Sequence, residues 1–287
     1  MEQQEICAVT GSTGYVGSII ASALSTHMKV VPLTRRDVGP HCIEWEFDSG
    51  RDITEQLRSR GITTLVHAAW DMRSNTLDEL RHSSVAGSGR LFEMASRAGV
   101  SRIVFISTIS AFEGCRAAYG RSKLEAEHMA AAKGGIILRP GLVFGPTSGG
   151  VFGAIRAQVR KTKFIPLVGN GRAPQYLLHE DTLKDIIVRC ATGQFDSLKG
   201  VPLTIAHSNP WLFRELVSQI ARAENRNVTL VPVPWQILYA GLKTAETIGM
   251  KLPVRSDSVI SFIYQNPKPD FSTLFEYGVQ PLPFTNH

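Results

Sequence analysis

A tyrosine and a lysine stand four residues apart in the stretch AYGRSKLEAE, at positions 119 and 123. On a helix that spacing puts both side chains on one face. A phenol beside an ammonium suits one task well, moving a proton at a carbonyl. Reducing a ketone delivers hydride to carbon and a proton to oxygen. An isolated phenol titrates near 10, so it needs a neighbouring cation to favour the phenolate and bring it toward neutral pH. Acid–base help of this kind is typically worth about 10²–10⁴-fold in rate. The same spacing also fits two residues that merely share a helix face. The rest of the chain has to supply a cofactor and a carbonyl to work on.

A cofactor turn is written at the start of the chain. ICAVTGSTGYVGSII places an apolar run before glycines at 11, 14 and 17 and a helix-like segment after them. Gly11 lets the chain turn sharply off a strand, Gly14 lets backbone approach a pyrophosphate, and Gly17 lets the helix pack closely on the sheet. The free N–H groups and dipole of the helix start then face the phosphates. Gly11, Thr13, Gly14, Tyr15 and Val16 are the expected cofactor contacts of this turn. The next apolar run, KVVPLT, ends at Thr34 and is followed by Arg35 and Arg36. A dinucleotide fold that prefers NAD usually has a carboxylate there for the ribose hydroxyls. A guanidinium instead suits a 2′-phosphate. The expected cofactor is therefore NADP(H) rather than NAD(H), with Arg35 the first choice of contact and Arg36 the second. Asp37 follows directly and would reach the ribose if the strand ended slightly later.

The elements that must hold these residues can be read from the alternation of apolar runs and helix-like segments. ICAVT, KVVPLT, HCIEWEF, TTLVHAA, RIVFIST and GIILRPGLVF alternate with YVGSIIASALSTH, DITEQLRSRG, LDELRHSSVAGSGRLFEMASRAG and YGRSKLEAEHMAAAK. Such a pattern predicts an α/β fold with a doubly wound parallel sheet covered on both faces. After about Gly145 the pattern loosens. The expected organisation is a Rossmann domain over residues 1–146 and a mainly substrate-binding lobe over 147–287, with about 176–206 returning to the Rossmann domain. PLTIAHS and NVTLVPVP read as further strands, and NPWLFRELVSQIARAE reads as a helix.

Composition narrows the function classes. Of the 287 residues, 43% are hydrophobic and 20% charged, ordinary values for a globular protein. No run approaches about 18 consecutive apolar residues, so no transmembrane segment is expected. The N-terminus shows no basic start or apolar signal core. Cys7, Cys42, Cys115 and Cys190 are too scattered for a disulfide framework or a metal-ligand cluster, and a cytoplasmic location is expected. The net charge is +6 with a pI near 9.2, but the basic residues are dispersed and lack interleaved aromatics for base stacking. Small phosphorylated ligands fit better than nucleic acid. His82, His128 and His207 read as surface or structural, and Trp45, Trp211 and Trp235 as packing residues. The amphipathic WQILYAGLKTAETIGMKL is expected to pack rather than to touch a membrane or a partner.

TGSTGYVG, FDSG, HAAW, FISTISAF, YGRSK and LRPGLVFGP occur in this order. On these motifs the chain resembles the short-chain dehydrogenases/reductases, specifically their extended, NAD(P)-dependent epimerase/dehydratase-like branch. The resemblance is close to about Pro146 and looser through VGNGRAPQYLLHEDTLKDI. It implies Tyr119 as the acid–base residue and Lys123 as its partner, the lysine also holding the nicotinamide ribose. It implies Asp48 near the adenine, with His67, Ala68 and Ala69 lining the cofactor and Pro140 bordering the nicotinamide. A Ser or Thr after the fifth strand completes the triad. Thr108 takes that place, with Ser107 and Ser110 close enough to dispute it. Trp70 and Asp71 follow HAA and are candidates to touch cofactor or substrate. Arg172, in GNGRAPQ, is a candidate for a substrate diphosphate, with Lys161 and Lys163 as weaker ones.

Two departures from the family pattern stand out. Ser84 and Gly87 occupy the setting where an Asn-x-x-Gly is common. Only ten residues lie between Thr108 and Tyr119, so the loop that usually touches the sugar is short. The leading expectation is an NADP(H)-dependent oxidoreductase acting on a keto group of a nucleotide-activated sugar, of 4-keto-6-deoxy type. A nucleotide-sugar 4-epimerase uses the same residues, a reductase of a non-sugar carbonyl suits the short loop, and a non-catalytic dinucleotide-binding protein could share the fold. A homodimer is common in the resembling family.

Overall fold

The computed structural model describes residues 5–36, 39–74, 76–147, 149–250 and 254–285. In chain order the first half runs β1 (Ile6–Thr10), α1 (Tyr15–Ser25), β2 (Lys29–Thr34), β3 (Ile43–Glu44), α2 (Thr54–Ser59) and β4 (Thr64–His67). It continues through α3 (Leu77–Leu80), a π-helical turn (Arg81–Val85), α4 (Ala86–Ala98), β5 (Arg102–Ile106), α5 (Ala118–Ala132) and β6 (Ile136–Pro140). The second half holds β7 (Leu142–Phe144), α6 (Gly150–Lys161), β8 (Phe164–Val168), β9 (Pro174–Gln175), β10 (Leu177–His179) and α7 (Glu180–Ala191). Then come β11 (Pro202–Ile205), β12 (Trp211–Leu212), α8 (Phe213–Ala223), β13 (Thr229–Val233), α9 (Trp235–Thr247), α10 (Ser256–Ile263) and α11 (Ser272–Glu276).

Seven strands form one sheet in the order β11-β6-β5-β4-β1-β2-β3, and every pair in it is parallel. The central strands are buried along their length, as runs such as TLVH and RIVFI require when helices cover both faces. On one face Ile19, Ile20 and Leu24 of α1 pack with Leu183, Ile186 and Ile187 of α7. On the other, Leu57 of α2, Leu91 and Phe92 of α4 and Ala126 and Ala130 of α5 pack together. Each large side chain fully enclosed in these layers contributes about 1.5–3 kcal/mol. Strand order reverses between β1 and β4. That is the switch point where open α/β sheets bind ligands beyond their strand ends.

HCIEWEF yields a shorter strand than its composition suggests. Only Ile43 and Glu44 pair with β2; β2 ends at Thr34, whose carbonyl takes the last ladder bond from the Trp45 N–H at 2.7 Å, and the Trp45 side chain turns into the core. Past β7 the chain builds a separate cluster in which Phe152 and Val159 of α6 meet Leu216, Val217 and Ile220 of α8. The parallel pair β8–β13 lies beside it. Within this half, β11 returns to the edge of the large sheet next to β6. Helix α9 packs less than expected. It has no buried residue, and Ile237 is 65% exposed. Its Trp235 ring meets Tyr239 and Tyr264, and its Glu246 is bonded to Ser256 of α10.

Candidate active site

The glycine turn after β1 and the chain leaving β4 form the two sides of the switch-point crevice. Gly11 has φ +70°, and a Cβ there would lie 2.8 Å from the Ala69 nitrogen. A Cβ on Gly17 would run into the Gly11 carbonyl oxygen. Both glycines are therefore required by close approach. Helix α1 begins at Gly14 with no side-chain cap and no acidic residue in its first turn. Its first N–H groups are left for an anion.

A buried relay fixes this geometry. The Ala68 and Ala69 N–H groups both donate to Thr10 Oγ1, each at 3.0 Å. Thr10 therefore turns its own proton to His67 Nδ1, 2.8 Å away. Nε2 then carries the imidazole proton and donates to Ser88 Oγ at 2.8 Å, and Ser88 donates to the Ser84 carbonyl at 2.6 Å. His67 is 0% exposed, and burial, reinforced by the charge of Lys123, lowers its pKa to about 3, so it stays neutral. The resemblance put His67 against the cofactor. Its ring instead stacks on Phe105 inside the core and shapes the crevice through Thr10.

Tyr119 opens α5, with Thr108 across from it in the loop after β5. Thr108 Oγ1 accepts from the Ser110 N–H at 3.2 Å, and its hydroxyl favours the ionised form of the Tyr119 phenol. Burial raises the phenol to about 12, and Arg255 and the Thr108 hydroxyl oppose that rise. Ser107 points the other way. It is buried and donates to Glu127 Oε1. Of the hydroxyls in FISTISAF, Thr108 is the one that favours the ionised phenol, while Ser107 is spent on Glu127.

Lys123 is 2% exposed. Its ammonium donates to the Ile106 carbonyl at 2.7 Å and sits 4.0 Å from the Trp70 ring centroid and 4.7 Å from that of Phe105. Burial lowers its pKa to about 7, and the Glu127 carboxylate one turn along α5 pulls in the opposite direction. Glu127, 1% exposed, also accepts from Arg139 Nε at 2.9 Å. In this structure the phenol stands above its ordinary value rather than below it, and the lysine is engaged by a carbonyl and two rings.

Arg255 and Asp257 are site residues that sequence reasoning missed. Asp257 Oδ1 accepts from the Ala118 N–H at 2.8 Å and Oδ2 from the Tyr119 N–H at 3.0 Å. Helix α5 has no side-chain cap of its own, so the acid arrives from α10. The Tyr119 partner is 138 positions away, and no local pattern announces it. Glu127 was visible in principle, as a carboxylate four residues after Lys123.

The other expected residues divide by position. Ala68, Ala69 and Trp70 flank the crevice. The Trp70 indole nitrogen is buried without an acceptor among the described residues. Tyr15 donates to the buried Glu180 at 2.8 Å, tying the start of α1 to α7, and burial together with Glu180 holds its phenol far above the usual range. Pro140 is buried at the end of β6. Asp48, Thr13, Arg35 and Arg36 are exposed, and Asp37 lies outside the described residues. Asp71 closes a turn with Arg73 and Ser74, while its N–H donates to Ser84 at 3.0 Å. Arg172 is exposed in a loop whose backbone packs against the start of α8. Lys161 and Lys163 are exposed.

The glycine cradle and the free helix start suit a dinucleotide phosphate. A UDP-glucose 4-epimerase of Vibrio cholerae is 25% identical over 259 residues, covering 79% of this chain and 78% of the relative. A ceramide reductase of Caulobacter vibrioides is 25% identical over 196 residues, covering 65% of this chain and 61% of the relative. The crystal structure of a Thermotoga maritima UDP-glucose 4-epimerase with UDP-glucose superposes with a TM-score of 0.71 at 15% identity, covering 96% of this chain and 93% of that one. The profile of the "NAD dependent epimerase/dehydratase family" matches residues 7–197. With the parallel sheet and the glycine turn in place, the chain belongs to that family, within the extended short-chain dehydrogenases/reductases.

Proposed function

We propose that this protein is an NADP(H)-preferring oxidoreductase that reduces a keto group on a nucleotide-activated sugar, with Tyr119 as the acid. The observation that carries the reading is the glycine cradle in which Gly11 is pressed against Ala69, with Thr108, Tyr119 and the buried Lys123 together after β5 and at the start of α5. A bound nicotinamide dinucleotide would supply the hydride. The N–H groups at the start of α1 would hold its pyrophosphate, Ala68 and Ala69 would line it, and Lys123 would turn to its ribose. Thr108 would orient the substrate oxygen while Tyr119 gives its proton to it. The nucleotide-sugar class is supported by likeness to UDP-glucose 4-epimerases. The cofactor preference is supported by exposed Arg35 and Arg36 just beyond Thr34, where an NAD enzyme would carry a carboxylate.

The test is loss of reduced-nicotinamide absorbance when purified protein meets a 4-keto-6-deoxy nucleotide sugar. Faster loss with NADPH than with NADH is expected, and Arg35→Ala is expected to erode that preference about tenfold or more, the scale of one charge-assisted phosphate contact. Equal rates with the two cofactors would overturn the NADP(H) reading. No turnover with cofactor retained through purification would favour the epimerase.

The two hydroxyls after β5 should separate cleanly. Thr108→Val is expected to lower kcat about 10²-fold, the scale of one lost donor at a reacting oxygen. Ser107→Ala should leave kcat within a few-fold and lower stability by about 1–3 kcal/mol, because Glu127 loses a buried donor. Kinetics and urea denaturation of both variants check this. The reverse pattern would put Ser107 in the site.

A second reading, a non-sugar carbonyl, is favoured by the likeness to the Caulobacter ceramide reductase and by the short loop between Thr108 and Tyr119. Turnover of a long-chain keto lipid in place of the keto sugar would establish it.

A further inference from the structure

The glycine turn after β1 and the second half of the chain meet at one side chain. Tyr15 is the first residue of α1, so its N–H is among those that the helix leaves for an anion. Its ring lies against the turn that starts α6. A Cβ on Gly149 would run into that ring, and one on Gly150, at φ +58°, would come within 2.9 Å of it. The Tyr15 hydroxyl donates to Glu180 Oε1 at 2.8 Å, and Glu180 is the first residue of α7.

Glu180 is the buried anion of this seam. It is 1% exposed and forms no ion pair with any described cation. A carboxylate in such a place needs donors around it. The oxygen that takes the Tyr15 hydroxyl also accepts from Thr147 Oγ1, in the loop between β7 and α6. The start of α7 adds the positive end of its dipole. The Glu180 stem is pressed against Gly145 just past β7, where a Cβ would collide with it. One carboxylate oxygen thus gathers a hydroxyl from the phosphate-facing helix and a hydroxyl from the loop that opens the second half. Behind it, α1 and α7 are packed together through Ile20 and Leu24 with Leu183 and Ile187, so the seam is anchored on a shared core.

We propose that Glu180 is a positioning residue for the dinucleotide pyrophosphate. Through Tyr15 it sets the first turn of α1, and through Thr147 it ties the loop before α6 to that setting. This rests on the start of α1 being the pyrophosphate site of the proposed function. The side chain of Tyr15 then serves the cofactor without touching it: the backbone N–H meets the phosphate, while the ring and hydroxyl fix where that N–H stands. Phosphate held by N–H groups is sensitive to their aim, because such bonds weaken steeply as they bend.

The test is a double-mutant cycle on cofactor-free protein, read by calorimetric Kd for NADPH and for NADH beside urea midpoints. Tyr15→Phe keeps the ring on Gly149 and Gly150 and removes the hydroxyl. Glu180→Ala removes the acceptor, and Glu180→Gln keeps an acceptor for both hydroxyls. Tyr15→Phe and Glu180→Ala are each expected to weaken the dinucleotide about three- to tenfold, the scale of one hydrogen bond. The double variant should be no weaker than the worse single one, since both changes remove the same bond. Glu180→Gln should bind within about twofold of wild type. An unchanged Kd in Tyr15→Phe would overturn the proposal, and a lowered urea midpoint with that Kd unmoved would make the seam a structural tie only. Losses that add in the double variant would overturn it as well. If Glu180→Ala fails to fold, Tyr15→Phe against Glu180→Gln decides, since weaker binding in the first alone supports the proposal and equal binding in both overturns it. A wild-type protein that takes up neither NADPH nor NADH would sink the proposed function and this proposal together, whereas tight wild-type binding with unmoved variants sinks this proposal alone.

Discussion

Tyr119→Phe is expected to lower turnover about 10²–10⁴-fold, with the dinucleotide bound as tightly as before. On the proposed reading the phenol is the group that gives its proton to the substrate oxygen. The phenyl ring fills nearly the same volume, so the stability cost is at most that of one hydrogen bond, about 0.5–1.5 kcal/mol. The pH dependence has a definite sign. Burial holds the phenol at about 12, so in the reducing direction the acid form is present through neutrality and activity falls only as pH rises past its apparent pKa. In the oxidising direction the phenolate is the base, and the rate should climb over the same range. Stopped-flow measurement of kcat in both directions, for both proteins, checks the claim. A variant that keeps more than about a tenth of the activity would place the proton source elsewhere, because general acid help is rarely worth so little.

What could be read from residues alone follows from how local each feature is. The glycine turn is legible because strand, glycine spacing and helix start are contiguous. The collisions a Cβ would meet at Gly11 and Gly17 involve the turn itself and one neighbouring strand end. The helix that carries Tyr119 was legible for the same reason. Three features were not. His67 sits at a strand end, where a ring can face either the ligand or the core. The choice is made by the Thr10 hydroxyl, whose two accepted N–H bonds leave one proton to aim at the imidazole. The direction of Lys123 depends on Ile106, Trp70 and Glu127 together, and spacing on the helix says nothing about it. The cap on α5 comes from Asp257, and Ala117 at the N-cap position offers no side chain to hint that a cap is needed.

The sheet itself followed from strand–helix alternation, but the length of β3 did not. HCIEWEF has the composition of a full strand, and its continuation depends on where Trp45 and Phe47 find aromatic partners. They pack edge-on to each other and to His67, which draws the chain off the sheet edge and toward the layer under α4. The segment that looks like a strand thus becomes part of the wall that encloses the histidine relay.

Lys123→Met should show opposite signs in function and stability. Turnover is expected to fall by about 10² or more, since the residue is the candidate ribose ligand and the partner of Tyr119 on the helix face. The cofactor-free protein, however, should become more stable near neutral pH. Burial lowers Lys123 from 10.5 to about 7 in the fold. Between those two values the unfolded chain binds a proton that the folded chain lacks, so wild-type stability rises with pH, by at most about 1.4 kcal/mol per unit. Below about pH 7 the ammonium is charged in both states, and the full cost of burying it is felt. Methionine carries no such proton and keeps the stem packed against Trp70 and Phe105. The advantage of the variant should therefore be largest at and below about pH 7 and shrink steadily toward pH 10.5. Urea denaturation of both proteins at a series of pH values measures it directly. A constant difference across that range would mean that Lys123 titrates alike in the folded and unfolded chains, and that the Ile106 carbonyl and Glu127 fully offset its burial. A shrinking difference, with activity lost, would mean that the site holds this lysine at a cost in stability for the sake of function.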